Sequence, residues 1–256
     1  MGGRLQGCGI LIVRPAGLGE ALAERVQAEG GEPILLPAID ILSAPRPARL
    51  AMVIARLHTF DWAIFISPTA AREGMRSVRE RRFWPEGVRV AAVGRGSAEV
   101  LAELGIKGVL APQAPGDSDA LAALPELQEI TGQNIVIFRG DGGREHLARV
   151  FAERGARVEY AECYRRVRPD VDMSDLLARW RSGGVQAICG ASSEALANLR
   201  DMAGTADSPV VFGTPVFVPH PRVAEAARAM GFLHAIVATG GDAAIAEALA
   251  AFFATV

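Results

Sequence analysis

The chain is poor in the residues from which metal and nucleotide sites are usually built. Its 256 residues include three cysteines and four histidines, and none of them stands at a metal-ligand spacing. No Gly-Lys-Ser/Thr closes a phosphate loop, and Gly94-Arg-Gly-Ser97 lacks the third glycine of a dinucleotide fingerprint. A Gly-x-Ser-x-Gly nucleophile elbow is also missing. These absences predict no metal site and disfavour a bound nucleotide.

Other absences limit the expected partners and location. The formal net charge is −2, so no overall basic field is available to hold a nucleic acid backbone. No apolar run approaches the ~18 residues of a membrane helix, and the N-terminus lacks the arrangement of a signal peptide. The three cysteines cannot all pair and lie in apolar segments, as reduced thiols do. We therefore expect a cytoplasmic protein with no nucleic-acid partner and no membrane partner.

The most informative feature that is present is an internal repeat. Ile10-Leu-Ile-Val-Arg14 returns 125 positions later as Ile135-Val-Ile-Phe-Arg139, and the segment 62–67 returns at nearly the same offset as 186–191. This period is far above that of a solenoid, and 50% of the residues are hydrophobic, which suffices for two cores. The repeat predicts two similar α/β modules, and ligand sites form readily in a cleft between such modules.

Short apolar runs alternate with amphipathic stretches along the chain. Strands, each in a central position, are predicted over residues 10–13, 63–66, 88–93, 135–138, 185–189, 215–218 and 235–238. Helices are predicted over residues 20–29, 70–79, 97–104, 144–154, 193–202, 223–230 and 243–253. The alternation is typical of an α/β fold with doubly wound parallel sheets.

Two extended segments interrupt this rhythm. Residues 33–45 and 158–169 contain prolines and look too long for single strands of a compact sheet, so we interpret them as connectors between the modules. Two crossings that lie side by side as a ladder would form a hinge. Residues 112–119 are predicted to be a surface turn that leads into a helix.

The turns between strands and helices contain the candidate binding residues. In a parallel sheet these turns gather at the carboxyl ends of the strands, where helix N-termini favour anions. Arginine, which suits two-pronged contact with a carboxylate or phosphate, recurs there as Arg14, Arg72, Arg95, Arg139, Arg144 and Arg222. The alternative is that the serines and glycines are only caps and turn residues and the arginines only solvated surface.

The chain has two tyrosines, and both lie in the second connector. Tyr160 and Tyr164 are spaced to face the same way along an extended segment. A phenol at a hinge can donate a proton into a cleft. The alternative role is packing between the modules, which is favoured more for Tyr160 than for Tyr164.

Seven short segments then occur in a fixed order. They are Arg14-Pro, Phe65-Ile-Ser-Pro-Thr-Ala70, Val93-Gly94 with Ser97-Ala98, Phe138-Arg-Gly-Asp-Gly-Gly-Arg144, Cys163-Tyr164-Arg-Arg, Ser192-Ser193-Glu194 and Pro219-His-Pro-Arg222. Each segment alone is weakly diagnostic. Their order and spacing, together with the chain length, resemble the uroporphyrinogen-III synthase family over essentially the whole chain.

The resemblance implies a monomeric, cofactor-free enzyme of two flavodoxin-like α/β domains, joined by a two-stranded extended ladder. One domain would contain residues 1–38 and 168–256 and the other residues 44–160, with connectors at 38–44 and 160–168. The internal repeat alone would suggest a cut near residue 125. We follow the discontinuous division, because two extended crossings account better for the prolines.

The resemblance also implies a reaction and a set of site residues. The linear tetrapyrrole hydroxymethylbilane, which carries eight carboxylates, would lose its terminal hydroxyl as water and close into uroporphyrinogen III with its last pyrrole inverted, a step of haem biosynthesis. Tyr164 matches the tyrosine proposed as proton donor in the family. The candidate substrate-binding residues are Arg14, Ser67, Ser97, Arg139, Gly142, Gly143, Arg144, Ser192, Ser193, His220 and Arg222. Since some members have a Thr-containing turn near Pro219, either His220 or Arg222 replaces that contact or the turn is only structural.

Two other functions remain open at this point. A non-catalytic two-lobed module could close on a small acidic ligand without turnover. A glycosyltransferase is a further alternative, although the chain is short for one and lacks an evident nucleotide site.

Overall fold

A computed structural model describes residues 3–113, 116–143 and 145–254. The chain divides into two compact units, one made of residues 1–40 and 167–256 and the other of residues 41–166. Within the described ranges no helix has both the length and the apolar character needed to cross a bilayer.

The first unit contains both ends of the chain. Its elements are β1 (Gly9–Pro15), α1 (Glu20–Ala28), β2 (Glu32–Ser43), α7 (Ser174–Arg181), β7 (Ala187–Gly190), α8 (Ser193–Ala203), α9 (Ser208–Gly213), β8 (Val216–Val218), α10 (Pro221–Met230), β9 (Ala235–Val237) and α11 (Gly241–Phe253). The strands run parallel in the order β2-β1-β7-β8-β9.

The second unit is built in the same way from the middle of the chain. Its elements are α2 (Pro47–Ala55), β3 (Trp62–Phe65), α3 (Pro68–Arg79), β4 (Arg89–Ala92), α4 (Arg95–Glu103), α5 (Ser118–Ala122), β5 (Asn134–Gly140), α6 (His146–Glu153) and β6 (Arg157–Val167), with short 3-10 turns at Leu57–Thr59 and Pro125–Leu127. The strands run parallel in the order β4-β3-β5-β6.

The predicted α/β class with parallel sheets is confirmed, and each of the seven predicted strands is present. The prediction that all seven are central is wrong for β4 and β9, which end the strand order. Hydrophobicity misled here because β4 is covered on its outer side: Leu110 forms an isolated parallel bridge with Ala91. The expected helix after this turn is present, since Asp117 caps α5 through a hydrogen bond from the Ala120 N–H, whereas residues 114 and 115 of the turn lie outside the described residues.

The prediction that residues 33–45 and 158–169 are too long to be strands of a sheet is wrong, whereas their role as connectors stays a prediction. β2 pairs with β1 from Glu32 to Ile39, and β6 pairs with β5 from Arg157 to Tyr164. A proline can sit in a strand where its nitrogen points out of the ladder, which is why the prolines did not prevent pairing. β2 ends at Ser43 and β6 at Val167, so each strand continues past the point where the chain changes unit.

The internal repeat is preserved in the strand register. β1 and β2 pair from Gly9↔Glu32 to Arg14↔Pro37 and then skip one residue, Ala38, before Pro15↔Ile39. Every step recurs 125 positions later in β5 and β6, from Asn134↔Arg157 to Arg139↔Glu162, with Cys163 skipped before Gly140↔Tyr164. Ala38 and Cys163 are therefore the extra residues of two equivalent β-bulges.

Each unit combines parts of both repeats. In the first unit β1 pairs with β7 (Ile10↔Ala187), and in the second unit β5 pairs with β3 (Ile135↔Trp62), which is the same pairing with the repeats exchanged. Thus the β-α-β segment of the first repeat packs with strands of the second, and the β-α-β segment of the second repeat packs with strands of the first.

The bulge at Cys163 overturns the prediction that the two tyrosines face the same way. Tyr160 packs on the core cluster that contains Ile137 and Phe151, whereas Tyr164 belongs to the cluster that contains Phe138. Because side chains alternate along a strand, the one inserted residue moves Tyr164 to the other face of the sheet.

Gly74 marks the tightest packing in the core of the second unit. The rings of Phe65 and Phe138 stack with centroids 4.6 Å apart and an interplanar angle of 10°. A Cβ atom on Gly74 of α3 would lie 2.7 Å from Phe138 Cδ1 and 3.1 Å from Phe65 Cε1. The glycine therefore lets the helix approach the stacked rings.

We predict that Gly74→Ala destabilises the protein by about 1–3 kcal/mol, because overpacking outweighs the helix propensity gained, which is at most about 1 kcal/mol. Gly96→Ala in the exposed first turn of α4 is the matched control, since its Cβ would meet only Pro68 Cγ, at 3.7 Å. Denaturant unfolding of both variants measures the difference. Equal stability of the two variants would show that the rings move aside at no cost.

Candidate active site

The candidate residues lie where the parallel strands end and the next helices begin. Because the strands of each unit run in one direction, their carboxyl ends form one edge of that unit's sheet. The helices that start at these edges have the N-cap residues Ser67, Gly94 and Glu145 in the second unit and Gly19, Ser192, His220 and Gly240 in the first. Each edge therefore presents several free helix N-termini, which attract anions.

In the second unit the phenol of Tyr164 crosses β5 to reach the end of β3. Tyr164 is paired with Gly140, and a Cβ atom on Gly140 would lie 2.8 Å from Tyr164 Cζ and 3.2 Å from its hydroxyl. The ring thus lies directly over the glycine, and its hydroxyl is 3.4 Å from Ser67 Oγ. Tyr164 is 1% exposed, so this pair of hydroxyls lies at the border of the core.

Ser67 is held by its role as a helix cap. Its backbone is extended, and its Oγ accepts a hydrogen bond of 3.0 Å from the Ala70 N–H at the start of α3. The hydroxyl proton stays available for a second partner, because the cap uses only an acceptor lone pair. Ser97 is 4% exposed in the first turn of α4, and Gly96 of that turn lies beside Pro68. The two serine-bearing turns are therefore neighbours.

Arg139 lies on the opposite face of the sheet from Tyr164 and is 3% exposed. Its Nε donates to the carbonyl of Gly140 at 3.1 Å, and its guanidinium lies over the ring of Tyr160, 4.5 Å from the centroid. Burial raises the pKa of Tyr160, and Arg139 opposes that shift. Tyr160 thus packs against the guanidinium of Arg139.

The loop after β5 approaches Arg139 through its glycines. Gly142 and Gly143 both have positive φ angles, 69° and 100°, and a Cβ on Gly143 would lie 3.2 Å from Arg139 Nη2. Arg144, the remaining predicted binding residue of this loop, lies outside the described residues.

In the first unit Arg14 forms an ion pair inside the protein. Its Nη2 and Nη1 donate to the two carboxylate oxygens of Asp242 at 2.6 and 3.1 Å, and Nη1 also donates to the carbonyl of Leu18. The side chains of Arg14 and Asp242 are 14% and 24% exposed. Arg14 Nε is buried without a hydrogen-bond partner, and a cavity of about 170 Å³ lies beside this side chain. The substrate role predicted for Arg14 therefore requires it to leave Asp242 or to bind through Nε.

The other predicted residues of the first unit lie at two helix N-termini. Ser192 caps α8 by accepting from the Ala195 N–H at 3.2 Å, and Ser193 is the exposed first residue of that helix. His220 caps α10 through Nδ1, which accepts from the N–H of Arg222 at 3.1 Å. The Arg222 side chain is exposed. His220 therefore caps α10 through Nδ1, and a carboxylate contact through its other ring nitrogen stays a prediction.

Sequence reasoning missed two residues that define these geometries. Asp242 follows the pair Gly240-Gly241, both with positive φ, in a turn that was not counted among the candidate turns. Gly140 lies within a motif that was recognised, but its contact with Tyr164 depends on strand pairing. The signals that could have found them are an acid after a Gly-Gly turn and a glycine 125 positions after Pro15.

The fold and these edges define a class: an α/β protein whose helix N-termini suit an anionic small molecule, with a phenol and a serine hydroxyl close together. The described part of the chain contains no group of three His, Cys, Asp or Glu residues that could hold a metal ion. The family model for Uroporphyrinogen-III synthase HemD matches residues 20–244. The chain belongs to the uroporphyrinogen-III synthase family.

Related proteins agree with this assignment. The uroporphyrinogen-III synthase of Salmonella typhimurium is 35% identical over 191 residues, which are 74% of this chain and 78% of that protein. The enzyme of Proteus mirabilis is 30% identical over 74% of this chain and 96% of its own length. The predicted identity is confirmed: the protein is a uroporphyrinogen-III synthase and therefore a lyase of haem biosynthesis. The comparisons favour this function over the two alternatives, a non-catalytic binding module and a glycosyltransferase.

Solved structures share the fold at lower sequence identity. A mutant uroporphyrinogen III synthase of Thermus thermophilus has a TM-score of 0.65 and 17% identity, and the match covers 97% of this chain and 100% of that chain. The uroporphyrinogen-III synthetase of Helicobacter pylori has a TM-score of 0.61 and 13% identity over 96% of this chain and 99% of its own.

We predict that Arg14 and Asp242 are coupled in stability. Arg14→Gln and Asp242→Asn should each cost about 1–3 kcal/mol, and the double variant should cost clearly less than the sum, because either single change leaves a partly buried charge unpaired. The exposed pair Arg95 and Glu99, at 85% and 56% side-chain exposure, is the control and should show much weaker coupling. Additive losses at Arg14 and Asp242 in thermal unfolding would contradict the prediction.

Proposed function

We propose that the chain converts hydroxymethylbilane to uroporphyrinogen III, and that the edge of the second unit carries the chemistry. The observation that supports this most strongly is the phenol of Tyr164, which lies over Gly140 within 3.4 Å of Ser67 Oγ. Two hydroxyls close together at the start of a helix suit a reaction that must bind carboxylates and supply a proton.

Binding comes first in this mechanism. The substrate carries eight carboxylates, which match free helix N-termini and arginines without a basic net charge. Since ring closure without inversion occurs readily in solution, the main task of the protein is to hold the bilane bent so that the substituted carbon of the last ring attacks. Further residues are proposed to bind the substrate: Ser97, Ser192, Ser193, Gly142, Gly143, Arg144 and Arg222. His220 positions the turn that contains Arg222.

The proton follows a short path. Ser67 is less buried than Tyr164, so we place its hydroxyl between the phenol and the substrate. Ser67 donates its proton to the departing hydroxyl, which leaves as water, and takes the proton of Tyr164. After the substituted carbon has attacked the methylene carbon, its original bond to the bridging carbon breaks. The inverted ring then closes through its unsubstituted α-carbon, which loses one proton to the phenolate. Protons balance over the cycle, and no redox step is needed.

The finer architecture is part of the proposal. We place two flavodoxin-like domains at residues 1–38 with 168–256 and at 44–160, joined by a ladder of the segments 38–44 and 160–168. The continuation of β2 and β6 past the change of unit supports this division. We also propose a monomer in the cytoplasm without a nucleic-acid partner. Free thiols support a reducing compartment: burial raises the pKa of Cys163 and of Cys189 to about 12, which keeps both protonated.

The deciding experiment supplies hydroxymethylbilane and identifies the uroporphyrin isomer after oxidation. An active synthase gives type III in excess of the type I that forms spontaneously. A binding module would bind a porphyrin and leave the product as type I, and a glycosyltransferase would do neither. Only type I in the presence of folded protein would overturn the proposal.

We predict that Tyr164→Phe folds normally and loses roughly 10- to 100-fold in turnover, because the ring over Gly140 remains and only the donor is removed. Tyr160→Phe should be nearly silent, since its ring still stacks on Arg139. Turnover of type III product and thermal unfolding measure the two effects. Full activity of Tyr164→Phe together with unfolding of Tyr164→Ala would assign Tyr164 a packing role only.

Ser67 and Ser192 permit a matched comparison, because both are N-caps and they stand 125 positions apart. Each change to alanine should cost about 1 kcal/mol of stability through loss of the cap. We predict that Ser67→Ala lowers kcat more than Ser192→Ala does, whereas any effect of Ser192→Ala falls on KM. Equal kcat values would exclude Ser67 from the proton path.

A further inference from the structure

The internal repeat permits a comparison of two arginines that occupy the same place. Arg14 of β1 and Arg139 of β5 stand 125 positions apart. Each is the last residue paired before the bulge in the neighbouring strand, and the pairing register is identical. Differences between their surroundings therefore come from the side chains and loops around them and not from their positions in the strands.

The site at Arg14 already contains a carboxylate. Asp242 binds both terminal nitrogens of the guanidinium, at 2.6 and 3.1 Å. This two-pronged contact is the arrangement in which arginine holds a carboxylate most strongly. It shows how a carboxylate is held by an arginine at this place in the repeat.

The site at Arg139 contains no such carboxylate among the described residues. The residue is 3% exposed, and its partners there are the Gly140 carbonyl and the face of Tyr160. A ring face compensates a buried cation only in part, so a guanidinium in this position gains strongly from a carboxylate that reaches it.

The acid of the second unit that corresponds to Asp242 is engaged elsewhere. Leu110 bridges Ala91 of β4 just as Ile236 of β9 pairs with Phe217 of β8, so α5 is the counterpart of α11. The second residue of α11 is Asp242, and the second residue of α5 is Asp119. Asp119, however, lies 2.6 Å from His146 Nε2, and among the described residues it forms no hydrogen bond or ion pair with Arg139.

Gly143 lies directly against one terminal nitrogen of Arg139. A Cβ atom at this position would lie 3.2 Å from Nη2, closer than an ordinary van der Waals contact. A side chain here would compete directly with any ligand oxygen for that nitrogen.

We propose that Arg139 and Gly143 form a carboxylate subsite that takes one carboxylate of the tetrapyrrole, in the place that Asp242 fills beside Arg14. The inference rests on the proposed function, since it assigns one contact of the same substrate. It also gives the two equivalent arginines different roles: Arg14 binds a carboxylate of the chain itself, and Arg139 binds one of the ligand.

The test is a fluorescence titration of the full chain with uroporphyrin III, which carries eight carboxylates. Arg139→Gln should weaken binding roughly 10- to 100-fold, and Arg139→Lys should recover part of the loss, because it restores the charge but not the two-pronged contact. Gly143→Ala should weaken binding by a similar factor.

Gly132→Ala is the control for backbone strain. Gly132 has a φ of 77° against 100° for Gly143, and a Cβ there would meet nothing within 4 Å. Both glycine variants should lower Tm, and only Gly143→Ala should weaken binding. This pair keeps the test decisive even if Arg139→Gln does not fold.

Two outcomes would overturn the inference. The first is unchanged affinity in both Arg139→Gln and Gly143→Ala. The second is equal loss of affinity in Gly143→Ala and Gly132→Ala, which would show that strain alone is responsible. Failure of the proposed function is separable, because it appears as an absence of type III product from the wild-type chain, whatever the variants bind.

Discussion

The arrangement of the second unit depends on one inserted residue, Cys163. The bulge that it forms in β6 turns Tyr164 to the opposite face of the sheet from Tyr160 and sets it against Gly140. The same two strands then carry the phenol on one face and the Tyr160–Arg139 stack on the other. The Cys163 thiol lies 3.3 Å from the Arg139 carbonyl, and because burial raises its pKa to about 12 it remains a neutral weak donor there. A bulge of this kind redirects side chains without changing the strand order.

The first unit has the same bulge but not the same chemistry. Ile39 stands where Tyr164 stands in the second unit, and Pro15 stands where Gly140 stands. A proline ring cannot offer the flat bare surface on which the phenol lies, and Ile39 has no proton to give. The chain therefore contains the same bulged strand pair twice. The side chains of one copy have a structural role, and those of the other copy suit the proposed reaction. Between these two strand pairs the side chains differ and the register does not.

Much of the fold follows from local patterns, and the rest depends on pairing. The seven apolar strands were predictable because buried parallel strands are short and continuously hydrophobic. The helix α7 was not, since its one buried residue, Trp180, gives a weak amphipathic signal. The edge position of β4 also could not be predicted from local sequence. Leu110 covers its outer side, so the strand can be as apolar as a central one.

The site shows the same division. Ser67 and Ser192 could be named from their places before helices, where their side chains accept the first free N–H groups. The Arg14–Asp242 pair joins residues 228 positions apart, and no local pattern connects them. Likewise, the face to which Tyr164 points is decided by a register shift that only the paired strand β5 defines.

The exchange of repeats between the two units has a consequence for synthesis. The second unit consists of residues 41–166 alone, so all of its strands have been made before the chain reaches α7. By contrast, β1 pairs with β7, so the pairing of Ile10 cannot form until Ala187 has been synthesised. During translation the first β-α-β segment therefore leaves the ribosome with one side of its central strand unpaired, while the unit encoded after it can already close. Contacts this distant in sequence form slowly and leave apolar strands exposed meanwhile. The β1-α1-β2 segment is thus left with an exposed strand edge until β7 has been synthesised.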